Sequence, residues 1–141
     1  MSEKIFISSS EEETVLFATD FAKSLKKGEI ILLNGDLGSG KSVFARGVIR
    51  AFGVKKQIPS PTFTIVNEYD TDFCKLYHFD MYRLEEVEEA IAIGVDEIFA
   101  DSESIKLVEW PEKVWQIIPS KVIKVNIEKI DDTKRKIIIE G

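Results

Sequence analysis

The sequence predicts an α/β fold, a three-layer domain around a mixed, partly parallel β-sheet. Segments with helical spacing of apolar residues alternate with short β-branched or apolar runs along the 141 residues. Two pairs of those runs are separated only by short acidic turns, at 70–72 and 131–133, which predicts two hairpins. The alternation favours parallel strands and the hairpins add antiparallel ones, so a mixed sheet follows.

The composition indicates a soluble globular chain. Its length predicts one domain over residues 1–141. No apolar run approaches the roughly 20 residues of a membrane span, and the N-terminus lacks the pattern of a signal peptide. A single cysteine, Cys74, excludes an internal disulfide. We therefore expect a cytoplasmic protein that does not associate with membranes.

The first half of the chain predicts a helix, a strand and a second helix. Ser10 and Glu13 have capping-box spacing, and Gly28 is a stop signal for a helix over 11–27. Residues 29–34 are apolar on both faces, as a central parallel strand must be. Apolar residues then recur every four positions over 44–52, which predicts a helix of about three turns.

The second half predicts two hairpins around a further strand. Prolines at 59 and 61 interrupt regular structure before the first hairpin. The expected hairpin strands are 62–69 with 73–80, and 121–130 with 135–140. Between the hairpins we expect helices at 85–92 and 96–100, a strand at 104–110 and a short helix at 111–118.

A glycine-rich loop supplies the strongest chemical signal. Residues 35–42 match the phosphate-binding pattern G-x-x-x-x-G-K-[ST] and lie between the predicted strand and helix. Backbone N–H groups of such a loop bind phosphate oxygens, while Lys41 reaches the β- and γ-phosphates and Ser42 ligates Mg²⁺. The sequence thus predicts a small P-loop NTPase-like domain. The expected loop contacts are Asp36, Leu37, Gly38, Ser39, Gly40, Lys41 and Ser42.

A magnesium–nucleotide site also needs a carboxylate at the end of a strand beside the loop. Glu109 and Asp80 each follow a mostly apolar strand segment. We favour Glu109, with Ser42, on the metal, and Asp80 as a second metal-side or water-orienting acid. Thr62 stands where nucleotide hydrolases place a γ-phosphate-sensing threonine, although a strand-initiating threonine would look the same. His78 is the only histidine, and we interpret it as a hydrogen-bonded structural residue rather than a general base.

Motifs that are missing from the sequence indicate which base is bound and which reaction is favoured. No Asn-Lys-x-Asp element for guanine occurs, which favours adenine. Nucleotide and small-molecule kinases clamp phosphates with several arginines, whereas this chain has four arginines and no obvious lid insertion. Hydrolysis is favoured over phosphoryl transfer, and a non-hydrolysing nucleotide sensor stays open.

Charge argues against strong direct nucleic-acid binding. The net charge is −6, and residues 68–112 hold 14 of the 25 acids but only three bases. Such a segment repels a phosphate backbone. The acidic run at 85–89 is either the solvated side of a helix or a docking surface for a basic partner.

Four ordered motifs together resemble the TsaE family, the small bacterial ATPase of tRNA threonylcarbamoyladenosine synthesis. They are the phosphate loop at 35–42, Ser-Pro-Thr-Phe-Thr at 60–64, His-Phe-Asp-Met-Tyr-Arg-Leu at 78–84 and Val-Glu-Trp-Pro-Glu at 108–112. Ser39 and Ser42 depart from the family's common Ala and Thr but keep a small residue and a hydroxyl.

The resemblance implies weak ATPase activity with ATP and Mg²⁺, and a complex with the two other proteins that transfer the threonylcarbamoyl group. It implies that Lys41 and Ser42 serve phosphate and Mg²⁺, with Thr62 as the switch-like threonine. It also implies that Asp80 and Glu109 form the acidic metal-side pair. The other residues that it places near the nucleotide are Trp110, Glu11, Glu112 and Arg135.

Overall fold

The computed structural model describes residues 3–141 and confirms the predicted α/β class. The strands are β1 (Glu3–Ser8), β2 (Ile30–Asn34), β3 (Val66–Asp70), β4 (Lys75–Asp80), β5 (Ser104–Glu109), β6 (Ile123–Lys129) and β7 (Arg135–Glu140). The helices are α1 (Glu11–Ala22), α2 (Lys41–Ala51), α3 (Val87–Ala92) and α4 (Val95–Phe99), with a 3₁₀ helix at Pro111–Ile117. Within this described range, no helix has the length and apolarity needed to cross a bilayer.

The sheet is mixed, as the sequence predicts. Its seven strands run in the order β1-β7-β6-β2-β5-β4-β3. The four central strands, β6, β2, β5 and β4, are parallel to one another, and the two predicted hairpins pair antiparallel at the flanks. Because parallel strands end at the same edge of a sheet, the residues that follow β2, β4 and β5 lie close together.

Helices cover both faces of the sheet and create two apolar cores. Ile31 and Leu33 of β2 pack under α1 and α2, whereas Ile30 and Leu32 face α3, α4 and the 3₁₀ helix. At Gly47 of α2, a Cβ atom would lie only 2.8 Å from the Cβ of Ala18. Glycine at this position therefore lets α2 approach α1 closely.

Two boundaries in the N-terminal part differ from the sequence prediction. Strand β1 is not predicted from the sequence. In the structure, Ile5 and Ile7 remain 53% and 47% exposed, while Phe6 packs on the core. Its formation depends on antiparallel pairing with β7. Helix α1 ends at Ala22 rather than at 27, since the following turn buries Leu25.

The predicted strand at 62–69 is wrong in its first half. Residues 61–64 form a turn closed by a 2.7 Å hydrogen bond from Ile65 N to Pro61 O. Ile65 has a φ of 70°, which breaks the extended path before β3 begins at Val66. Thr62 therefore lies in a turn rather than at the start of a strand.

Two further elements begin later in the sequence than predicted. Strand β4 begins at Lys75 rather than at 73. Helix α3 begins at Val87 because Glu86 is its N-cap, in a reciprocal capping box with Glu89. The acidic run at 85–89 is thus partly a helix cap.

Candidate functional site

The glycine loop connects β2 to the first turn of α2, at the edge where the parallel strands end. Gly38 and Gly40 have φ values of 79° and 107°, in the left-handed region that favours glycine. A Cβ atom on Gly35 would lie 2.5 Å from Ser39 Oγ and 2.6 Å from Ile127 O. Because the N-cap of α2 is Gly40, the N-cap residue offers no side chain to the first N–H groups of that helix. Such a helix start attracts an anion.

The ammonium group of Lys41 is held inside this loop. Its Nζ donates a 2.6 Å hydrogen bond to Gly35 O and lies 3.4 Å from the centroid of the Trp110 ring. Burial lowers the pKa of Lys41 from its ordinary value. Four carboxylates oppose that shift: Glu109, Glu112, Asp80 and Asp36.

Two buried acids lie side by side opposite the loop. Asp80 and Glu109 are register partners at the ends of β4 and β5, and they are 6% and 3% exposed. One oxygen of Glu109, Oε1, lies 3.5 Å from Ser42 Oγ. Asp80 accepts hydrogen bonds at both oxygens, from Thr62 Oγ1 at 3.1 Å and from Tyr82 N at 3.0 Å. The two acids are therefore held differently.

A cleft of about 400 Å³ brings most of the predicted site residues together. Its predicted members are Glu11, Leu37, Gly38, Ser39, Gly40, Lys41, Ser42, Thr62, Asp80, Glu109, Trp110 and Arg135. Asp36 and Glu112 do not line it. Both are exposed, Asp36 at the start of the loop and Glu112 beside a separate groove under the 3₁₀ helix.

Arg135 braces the loop from the start of β7. Its Nε donates to Ser39 O at 2.8 Å, and its Nη2 donates to Gly38 O at 3.2 Å. A third donor, Nη1, reaches Asp131 O at 2.9 Å. The guanidinium thus ties the glycine loop to the last hairpin.

Trp110 lies beside the cleft in a strained conformation. Its φ and ψ of 57° and 51° are left-handed, which costs a non-glycine residue on the order of 1–3 kcal/mol. This geometry presents the ring to Lys41. The ring of Tyr82 packs 4.9 Å away, centroid to centroid. The family resemblance implies that Trp110 is near the nucleotide, and the structure places its side chain at the cleft.

His78 is the residue whose contact with the site the sequence does not predict. It is hydrogen-bonded, as expected, but its partner is Glu109, with 2.6 Å between His78 Nε2 and Glu109 Oε2. In a strand, residues two apart share a face, so the spacing to Asp80 already places the ring toward the acids. Tyr82, which lines the cleft, follows the strand in a turn and carries no comparable signal.

The protein oxygen atoms at the cleft could bind Mg²⁺ only if phosphate and water oxygens completed its coordination. Among residues 3–141, no group of three His, Cys, Asp or Glu side chains could hold a metal. Ser42 and Glu109 supply a hydroxyl and a carboxylate oxygen close together. Mg²⁺ is commonly bound by one or two such groups plus substrate phosphates and water.

Comparison with known proteins decides the family. The family model described as "Threonylcarbamoyl adenosine biosynthesis protein TsaE" matches residues 8–137. The chain belongs to the TsaE family. The family expected from the four sequence motifs is thereby confirmed.

Relatives match this TsaE chain over most of its length. A protein of Rickettsia bellii named "tRNA threonylcarbamoyladenosine biosynthesis protein TsaE" is 45% identical over 130 residues, covering 92% of this chain and 89% of that protein. The protein of the same name from Aquifex aeolicus is 41% identical over 138 residues, with coverage of 96% and 95%. The crystal structure of Bacillus subtilis YdiB superposes with a TM-score of 0.83 at 30% identity, covering 98% of this chain and 84% of that one.

We expect the hydrogen bonds from Arg135 to make the glycine loop more rigid. Arg135→Met removes the donors to Ser39 O and Gly38 O. Each of the two hydrogen bonds contributes about 1 kcal/mol net, so their loss should let the loop amides exchange about 5–30-fold faster. Hydrogen exchange of residues 38–40 by NMR measures this. The exposed neighbour Lys134→Met is the control, and equal exchange in both variants would rule out the brace.

Proposed function

We propose that this chain binds ATP with Mg²⁺ and hydrolyses it slowly, as a component of threonylcarbamoyladenosine synthesis on tRNA. The convergence of Lys41, Ser42, Asp80 and Glu109 on one cleft beside the glycine loop is the observation that carries the proposal. The names of the relatives support the tRNA pathway. Action on tRNA also fits a cytoplasmic location.

The loop and Lys41 would hold the phosphates. The first residues of α2 line the cleft, and Lys41 contributes the buried positive charge. The ammonium has three N–H donors, and only one is needed for Gly35 O, so the others can turn from the Trp110 ring toward the β- and γ-phosphates. Phosphate oxygens are stronger partners for a cation than a carbonyl and a ring.

Glu109 and Ser42 would hold the metal. When held there, the ion would supply positive charge against the negative charge that develops on the phosphates during transfer. Glu109 Oε1 lies within 3.5 Å of Ser42 Oγ, and no other hydrogen bond to Oε1 is found within residues 3–141, whereas both Asp80 oxygens accept hydrogen bonds. This difference favours Glu109 as the metal-side acid.

Asp80 would then orient the attacking water. Its carboxylate is fixed by Thr62 Oγ1 and Tyr82 N at the cleft. If Thr62 turns toward the γ-phosphate, Asp80 Oδ2 loses that donor and can accept from water instead. Positioning and electrostatics supply most of the catalysis in phosphoryl transfer.

Partner proteins would read the nucleotide state through the turn at 61–64. Thr62 contacts Asp80, and its neighbour Phe63 is 82% exposed. An exposed aromatic side chain beside a ligand-responsive hydroxyl suits a protein contact. The acidic segment at 68–112 disfavours holding tRNA directly, so the pathway's two transfer proteins are the proposed partners.

The central experiment measures the hydrolysis of labelled ATP by the Glu109→Gln variant. Loss of the metal-linked charge, worth several kcal/mol in the transition state, should slow hydrolysis by about 100-fold or more while ATP binding persists. Asp80→Asn should behave similarly. Thin-layer chromatography separates phosphate released to water from phosphate on an acceptor, which a kinase would produce.

The matched control for this assay is Glu103→Gln, an exposed acid just before the opposite end of β5. It should hydrolyse ATP at the wild-type rate. Normal rates in both Glu109→Gln and Asp80→Asn would place the metal acid elsewhere. Labelled phosphate on a small acceptor would replace the hydrolase by a kinase.

A second prediction concerns stimulation by the two transfer proteins. Isolated protein should turn over slowly and be strongly stimulated by them, and Thr62→Ala should lose that stimulation because the turn no longer senses the γ-phosphate. Ser102→Ala, which removes an exposed hydroxyl just before the opposite end of β5, is the control. Steady-state phosphate release measures both. Fast turnover that ignores partners and Thr62 would indicate an independent enzyme.

A further inference from the structure

We infer that His78 is a positioning residue for Glu109, fixing one carboxylate oxygen so that the other faces Ser42 and the metal. The inference rests on the proposed function, because it assigns Glu109 to the metal side. It begins from the 2.6 Å contact between His78 Nε2 and Glu109 Oε2, in which the two side chains are 1% and 3% exposed.

Strand geometry explains why His78 can reach Glu109. In the parallel pairing of β4 with β5, His78 is opposite Leu107 and Asp80 is opposite Glu109. His78 and Asp80 share a face, so the imidazole lies one pleat below the acid pair. Because a carboxylate oxygen only accepts, the Nε2 atom carries the hydrogen and donates it to Oε2.

The contact with His78 gives the two carboxylate oxygens of Glu109 different partners. Oε2 is occupied by the imidazole, while Oε1 lies 3.5 Å from Ser42 Oγ at the cleft. A glutamate side chain has several rotatable bonds, and a metal needs its oxygen at one place. Groups that hydrogen bond to ligating carboxylates fix their orientation and tune metal affinity.

Stability alone does not account for this pair. Buried ionisable pairs are weak evidence for stability, since apolar replacements of similar volume are often neutral or stabilising. Moreover, within residues 3–141, no group hydrogen bonds the buried Nδ1 atom of His78. In the part of the chain that the structure describes, one ring nitrogen thus contacts Glu109 while the other has no hydrogen-bond partner. A role for His78 in orienting the Glu109 carboxylate accounts for this pairing.

The test compares three variants of His78. Gln places an amide N–H near the position of Nε2, Asn carries the same amide on a shorter side chain, and Leu has no donor. Calorimetry with adenylyl imidodiphosphate at varied Mg²⁺ measures how much Mg²⁺ the tight complex requires. The same titration in EDTA measures binding without the metal, and thermal unfolding of ligand-free protein reports structural damage.

We expect His78→Leu and His78→Asn to need about 10–100-fold more Mg²⁺, with affinity in EDTA within about twofold of wild type. His78→Gln should recover most of the loss. In a double-mutant cycle, adding His78→Leu to Glu109→Gln should cost little more Mg²⁺ affinity, because one acts through the other. The control Leu76→Val, a buried change on the same face of β4, should leave the Mg²⁺ requirement unchanged.

Equal Mg²⁺ requirements for the Gln and Asn variants would overturn the inference, and so would a wild-type requirement in His78→Leu. The Gln and Asn pair keeps the test valid if the Leu variant does not fold. If wild-type affinity ignores Mg²⁺ and Glu109→Gln changes nothing, the proposed function itself fails. The two failures are therefore distinguishable.

Discussion

The parallel register of β2, β5 and β4 is the constraint on which the candidate site depends. Leu33 lies opposite Glu109, which in turn lies opposite Asp80, so the glycine loop and both acids emerge at one edge. A slip of one residue would turn each side chain to the other face of the sheet. Burial of β2 and β5 on both faces by two helical layers opposes such a slip.

Electrostatics follows from that convergence. Two buried carboxylates share the cleft with Lys41, whose ammonium is already bound to a carbonyl and a ring. Arg135 also lines the cleft, but its guanidinium donates hydrogen bonds to carbonyl groups of the loop and the last hairpin. A triphosphate alone would meet repulsion from Asp80 and Glu109. A divalent cation reverses the sign of that interaction, which is why the proposed ligand is the magnesium complex.

Local patterns predict the parts of the site that lie within one segment, and tertiary contacts decide the rest. The loop at 35–42 and the strand-end acids can be found from spacing alone. The partner of His78 depends on which strand lies beside β4, which no local pattern specifies. Likewise, β1 forms through pairing with β7, and the turn at 61–64 overrides a β-branched sequence. The bracing role of Arg135 needs the last hairpin to reach the loop.

The most direct test of ATP binding is a calorimetric titration of ATP into wild-type protein and Lys41→Ala, with and without Mg²⁺. A hydrogen bond to a charged group contributes about 1.5–3 kcal/mol, so Lys41→Ala should bind MgATP about 10–150-fold more weakly. Wild-type binding should strengthen with Mg²⁺. Unchanged affinity in Lys41→Ala, or wild-type binding that ignores Mg²⁺, would contradict the account.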